Sequence, residues 1–544
     1  MCKNDDAVFF NGSCPRQYSG YTSCLAANAP VKGVPHERFE PFADHTDAIP
    51  AISQSQKHPI IHRFGRTIEY HELPGETIVK TNDVAKIAGF FGVICVVPYL
   101  LSIILAPLNT AQVLSLVIFT SFIAGSLFYW QFRNAFAFIG IALLLAFNVL
   151  DIEHLILFAH LELILFLVGM MIIIAFLEER GVFNWLVTIL IKPFFHKPYL
   201  LIGILLMLGA LMAALVDEVT SILFMSAIMF KVLKSYGISG RNVLPFIMFL
   251  VFTTNIGSSA LPVGNPIGVM IAFGAGMTVM DFLRWTFPIA IACSLLTTVI
   301  AILYFKRTSP VSLIPTTPGV APAQKIESIP LTREIKGGIL IFILVITGLI
   351  LQSTIEHQFG LGKNVLLLGI PLIMAGAVLV LDREHAHQHV EKVDWYTLVF
   401  FMFLFAGVGS LTYVGITNKI ALLVSGTGGD LVMMMLLVGG IVSILTAFLD
   451  NVLAVATIMP VVEALAGTIP LAPVWWTMLL GGTYCGNATL IGSTANIVAA
   501  GMVEKKGLGS FSMVGWMKIG IPVSILTFFI AFFLLYIQVM LFPV

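Results

Sequence analysis

The sequence predicts an all-α polytopic membrane protein built from two inverted-topology repeats, each with a re-entrant hairpin and a broken transmembrane helix. Three observations predict it. Of 544 residues, 58% are hydrophobic and 11% charged, which is more apolar surface than a water-soluble core can bury. The apolar residues fall in runs close to the roughly 20 that a helix needs to cross a bilayer. Five landmarks recur in the same order about 230 positions apart: Gly181 and Gly415, Asp217 and Asp450, Pro245 and Pro473, Gly264 and Gly492, Trp285 and Trp516. Such self-similarity marks an internal repeat.

Taken in order, residues 1–83 form a polar, loosely ordered tail. It has no apolar h-region of a signal peptide, so it is expected to stay on its side of origin. Residues 84–133 hold crossings at 84–106 and 111–130. The first repeat, 134–305, has crossings at 134–150 and 155–177, then an interfacial segment at 182–193 that is too short to span. A hairpin (199–216 and 219–233), a broken run (243–273) and a crossing (284–305) complete it. Residues 306–363 are a polar linker plus one helix, 337–352. The second repeat, 364–544, has crossings at 364–381 and 395–413, a hairpin (431–449 and 452–466), a broken run (473–503) and a last crossing, 516–540. Each broken run counts once and each hairpin not at all, which gives about 11 crossings. Five separate the equivalent positions 134 and 364, and an odd number turns the second repeat over. Lys and Arg concentrate on one side of this arrangement, among them Arg133, Arg180, Lys192, Arg241, Lys306, Arg383 and Lys505. The positive-inside rule makes that side cytoplasmic, with the N-terminal tail inside and the C-terminus outside.

The polar residues inside these apolar runs carry the chemistry. Asp217, Glu218 and Thr220 stand at the first hairpin tip, Asp450 and Asn451 at the second. An acid at a helix start caps free N–H groups, but an ionisable group at membrane depth costs at least ~2.5–3.5 kcal/mol. Two acidic tips at matched positions therefore point to cation ligands or a proton acceptor. The first break offers Asn255, Gly257, Ser258, Ser259, Gly264 and Asn265; the second offers Gly486, Asn487, Thr489, Gly492, Ser493, Thr494 and Asn496. Gly257 and Gly264 are read as permitting non-helical dihedrals, Pro262 and Pro266 as stopping the helix. Neutral oxygens and backbone carbonyls suit Na⁺, and half-helix N-termini suit an anion. No Lys or Arg lies in the tips or breaks. His160 and Glu162 fall inside a crossing, Glu463 is read as peripheral, and His385, His387 and His389 as part of a solvated loop.

The stretches 255–266 (NIGSSALPVGNP) and 486–497 (GNATLIGSTANI), with Leu449-Asp450-Asn451-Val452, resemble the ion transporter superfamily. They look most like its branch of arsenite permeases, the melanosomal P protein and citrate-transporter-like permeases. Here Gly268 stands where that branch often has Asn, Asn265 where it often has Asp, and Glu218 in place of the usual Asn. The resemblance implies a scaffold and a transport domain in each protomer of a homodimer, elevator-type movement, and sites at tips and breaks. The expected function is secondary active transport of a small organic or inorganic anion, citrate- or carboxylate-like, coupled to Na⁺ or H⁺. A Na⁺/H⁺ antiporter and an arsenite or antimonite exporter stay open as alternatives. No nucleotide-binding loop or nucleophile–base pair is visible, which disfavours an ATP-driven pump and an enzyme. No cofactor beyond the coupling ion is expected. Zero net charge points to no nucleic acid, leaving the bilayer and a small ion as partners.

Overall fold

The computed structural model describes residues 81–308, 329–426, 430–467 and 469–542, with side chains from 89 onward. The tail, most of the polar linker and the last two residues lie outside the described residues. Within them the chain is helical, in the order expected. Helices α1 (Thr81–Ile104), α2 (Thr110–Phe128) and α3 (Arg133–Ala146) come first. The crossing expected at 155–177 is two helices, α4 (Ile152–Phe158) and α5 (Leu161–Glu179), because His160 takes a left-handed conformation, φ 49°, and turns the chain between them. His160 and Glu162 therefore sit at a junction and pair with each other, Nδ1 to Oε1 at 2.8 Å, rather than inside a span. The short amphipathic α6 (Val182–Ile191) follows.

The first hairpin is α7 (Pro198–Leu215) and α8 (Glu218–Ser235). The first broken run is α9 (Leu244–Ser258), a 3₁₀ turn over Pro262–Gly264, and α10 (Pro266–Gly274). Helix α11 (Val279–Thr308) closes the repeat. After α12 (Arg333–Phe359), α13 (Val365–Leu381) and the short α14 (Ala386–Glu391), the plan recurs. Helix α15 (Trp395–Tyr413) matches α5 and α16 (Ile416–Ser425) matches α6. Helices α17 (Leu431–Phe448) and α18 (Asn451–Glu463) form the second hairpin. Helix α19 (Ala472–Cys485), a 3₁₀ turn over Gly486–Ala488 and α20 (Thr494–Lys505) form the second broken run, and α21 (Met513–Leu541) ends the chain. Eight helices among the described residues are long and apolar enough to cross a membrane, two of them the hairpin arms α7 and α17. The count of about 11 also draws on α1, on the shorter α3 and α13, and on the two broken runs.

Two groups of helices pack around different centres. Helices α1–α6 and α12–α16 form one, with α5 against α13 and α3 against α15. In the other, α9 lies between α7 and α11, and α19 between α17 and α21. Residues Phe246–Ser258 of α9 and Pro473–Cys485 of α19 are buried on every side, as expected of helices that are apolar all round. The groups meet where α18 packs on α15 and α16, and α10 on α5.

The histidine-rich segment is not a solvated loop throughout. Asp382, just past α13, accepts from Arg180 at 3.2 Å, His385 at 3.1 Å and the fully buried His389 at 3.0 Å. Burial works to raise this carboxyl, but the three donors hold it at about 2. His387 stays out in solvent, and His385 is half-exposed.

Candidate ion and substrate site

Both hairpin tips and both breaks converge on Glu218. Each of the four helices starting there is capped by its own side chain, which fixes where the remaining groups can point. Asp217 accepts from Thr220 N at 2.8 Å at the start of α8, and Asp450 from Val452 N at 3.1 Å at the start of α18. Asn265 accepts from Gly268 N at 2.7 Å at α10, and Ser493 from Ala495 N at 3.2 Å at α20. With Asp217 turned back onto its helix, Glu218, the first helical residue, faces the centre. It is 2% exposed, and its carboxylate accepts from Ser258 at 3.2 Å, Asn451 at 3.2 Å and Ser493 at 3.3 Å. The two repeats thus meet tip to tip.

Beside Glu218, Asn255 Nδ2 donates to Asn487 Oδ1 at 2.7 Å and to Asn496 Oδ1 at 2.9 Å, while its own Oδ1 accepts from Ser493 at 3.4 Å. Asn265 Nδ2 donates to Ser258 Oγ at 2.9 Å. Asn496 Nδ2 spans the second break, reaching the carbonyls of Gly486 and Thr489, both at 2.8 Å. Asp450, 4% exposed, accepts from Thr494 Oγ1 at 2.8 Å. The arrangement is rich in oxygen, negatively charged and almost dry. Its helix N-termini are already partly satisfied by their own caps, so it suits a proton or a hard cation better than a free anion.

Other expected residues take different roles. Ser259 turns to the Ile256 carbonyl and to Tyr484 OH, and Thr489 donates to the Ala447 carbonyl. Asp217 and Thr220 form a half-buried cap pair away from the centre. Gly257 is helical, in the last turn of α9, and neither it nor Gly264 has a positive φ. What the glycines supply is room. A Cβ on Gly257 would stand 2.3 Å from the Ala210 carbonyl of α7, and one on Gly264 2.2 Å from the Ser258 carbonyl. Gly486 and Gly492 face each other just as closely: a Cβ on Gly492 would be 2.6 Å from the Gly486 carbonyl. The unwound part of the first run is therefore Ser259–Asn265, just beyond Gly257.

Sequence reasoning passed over two neighbours. Trp516 donates its indole N–H to the Asn487 carbonyl at 2.9 Å; its place among the repeat landmarks was the signal that could have found it. Arg133, on the other helix group, lies close enough to Asp450 for the two charges to act on each other. Away from this centre, a cavity of about 320 Å³ between the groups is lined by His160, Glu162 and Glu463.

The family match covers both hairpins and the first break and ends in α19, just before the second break. The citrate transporter family model matches residues 126–481. An uncharacterized transporter of Mycobacterium tuberculosis is 30% identical over 352 residues, 64% of this chain and 79% of that protein. The P protein of Homo sapiens is 23% identical over 450 residues, 69% of this chain and 53% of its own length. Among solved structures, the Alcanivorax borkumensis YdaH transporter aligns with a TM-score of 0.43 at 15% identity, over 69% of this chain and 85% of that one. The chain belongs to the citrate transporter family and is an integral membrane transporter.

Proposed function

We propose that the protein is a secondary active transporter of a small organic or inorganic anion, citrate- or carboxylate-like, coupled to Na⁺ or H⁺. The observation that carries this reading is the buried Glu218 carboxylate, met by donors from the opposite tip and from both breaks. A charge held in so dry a place is costly unless a partner accompanies it. A proton or Na⁺ is that partner, with Ser258, Asn451 and Ser493 able to turn hydroxyl or amide oxygens toward a bound cation. Asn255, Asn487 and Asn496 hold the two breaks in register beside it. Loading the cation removes the negative charge that would repel an anion, which couples the two fluxes. The same acidity favours a second reading, Na⁺/H⁺ antiport, in which no anion moves.

Uptake into proteoliposomes separates them. Citrate, smaller carboxylates and inorganic oxyanions are offered with and without imposed Na⁺ and pH gradients. The symport reading expects one anion to accumulate and accumulation to vanish when both gradients are collapsed. Na⁺/H⁺ exchange with no anion uptake would replace it by antiport, and uptake indifferent to both gradients would make the protein a passive channel. The charge asymmetry further supports an N-terminal tail in the cytoplasm and a C-terminus outside. Single cysteines placed in the tail and after Phe542 should then react with an impermeant reagent from opposite sides; reaction from one side would refute this orientation.

A further inference from the structure

Arg133 is the first residue of α3 and only 5% exposed. Its guanidinium carbon stands 4.1 Å from the ring centre of Trp130, 5.1 Å from Phe400 and 5.2 Å from Tyr396. Cation–π contact of this kind compensates part of the cost of burying the charge. It acts on the faces of the guanidinium and leaves its in-plane N–H groups to find oxygens. One does: Nη2 donates to Thr397 Oγ1 at 2.7 Å, and Thr397 hands its own proton on to Asp394 at 2.5 Å. Nε has no partner. Among the described residues no carboxylate lies within ion-pair distance of Arg133. A buried arginine is usually paired, and this one keeps a donor free.

Its surroundings show which groups lie near the guanidinium. Helix α3 packs on α15, and α15 on α18, whose first turn carries Asp450. Asp450 is the first of the carboxylates whose charge acts on Arg133, and Asp394 the second. On the opposite side of this junction every helix N-terminus has its own cap, and Asp217, Glu218 and Asp450 are all acidic. An anion entering there meets acidic side chains and partly filled N–H groups, and Arg133 is a cation near them that no carboxylate among the described residues pairs.

We propose that Arg133 recognises the anionic group of the substrate: an oxyanion, in the first instance a carboxylate, binds between the Arg133 guanidinium and the start of α18. This rests on the anion-transport reading above. The binding group is then split across the two helix groups, with the coupling cation on one and the anion's counter-charge on the other. A carboxylate is matched by the in-plane N–H groups of arginine as it is not by lysine.

The test is citrate uptake into proteoliposomes by the full-length protein, by Arg133→Gln and by Arg133→Lys, with thermal unfolding of each in detergent. Arg133→Gln is expected to raise the KM for citrate at least about tenfold, with uptake still driven by an imposed Na⁺ or pH gradient and unfolding close to the parent's. Arg133→Lys is expected to recover part of the affinity. If Arg133→Gln fails to insert, the lysine variant decides alone: a raised KM with parental unfolding supports the assignment. A parental KM in a folded variant overturns it, as does a loss of affinity that only tracks a loss of stability, which would make Arg133 a packing anchor of α3. If the unaltered protein moves Na⁺ against H⁺ and takes up no anion at all, the anion-transport reading falls and the assignment with it.

Discussion

The two repeats reach the same centre with different chemistry. Both tips begin with an aspartate cap, but the next residue is Glu218 in the first and Asn451 in the second, and the two bond to each other at 3.2 Å. Both breaks resume with a polar cap, Asn265 in the first and Ser493 in the second. Beyond the cap they diverge. The second break is tied by Asn496, which holds two carbonyls of the unwound turn and accepts from Asn255. The equivalent position in the first is Gly268, where a Cβ would stand 2.9 Å from the Pro262 carbonyl. There Pro262 and Pro266 stiffen the turn by fixing φ, and the side-chain tie across the break comes from the cap itself, Asn265 to Ser258. The repeats have divided the work unevenly: the first supplies the central charge, and the second supplies two of the three donors that meet it.

That division can be broken in graded steps. Glu218→Gln should have the largest effect. It removes the charge and turns an amide toward groups already donating, so cation-dependent transport is expected to fall on the order of 100-fold, as for loss of a buried charge partner worth ~3 kcal/mol. Uptake against Na⁺ and pH gradients in proteoliposomes measures it, and retained cation dependence would remove Glu218 from the site. Asp450→Asn comes next, at about tenfold: Asn still caps α18, but Thr494 then donates to a neutral amide instead of a carboxylate. Asp217→Asn should be smallest, within about twofold, since Asn caps as well as Asp and the partners of Asp217, Thr220 and Val219, belong to its own helix. Equal losses in the two aspartate variants would mean that the repeats share the work after all.

Much of the architecture was legible before the structure, for physical reasons. Apolar runs, paired acids and interrupted helices each leave a local trace, and their recurrence gave the order of elements. Less of the site was legible. Asp217 and Glu218 are adjacent, and only the geometry of a helix start decides that the first turns back to cap while the second faces the centre. Gly257 reads equally well as a site of backbone freedom or of close packing, and the difference lies in Ala210, on another helix. Arg133 looked like one more cytoplasmic-side charge, because the rings of Tyr396 and Phe400 that bury it come from a helix more distant in sequence than any pattern reaches. The gathering of His385, His389 and Arg180 on Asp382 likewise brings in the end of α5, far away in the sequence.

The close approach of Gly257 to Ala210 has a mechanical consequence. With a similar contact in the second repeat, at a different position of the break, where a Cβ on Gly492 would lie 2.8 Å from the Thr446 carbonyl, it holds each hairpin against its own break, backbone against backbone. Neither tip is then a free flap that lifts alone. On the transport reading proposed above, water is then expected to reach Glu218 by a shift of the block as one piece past α5 and α15. That block carries Leu211, Leu223, Ile291, Leu295 and Val299 on its outer surface, and a shift carries them through the hydrocarbon. The energy of the stroke is then set partly by the lipid: each ångström of mismatch between this apolar band and the bilayer has a modest cost, so the thickness of the membrane becomes a parameter of turnover.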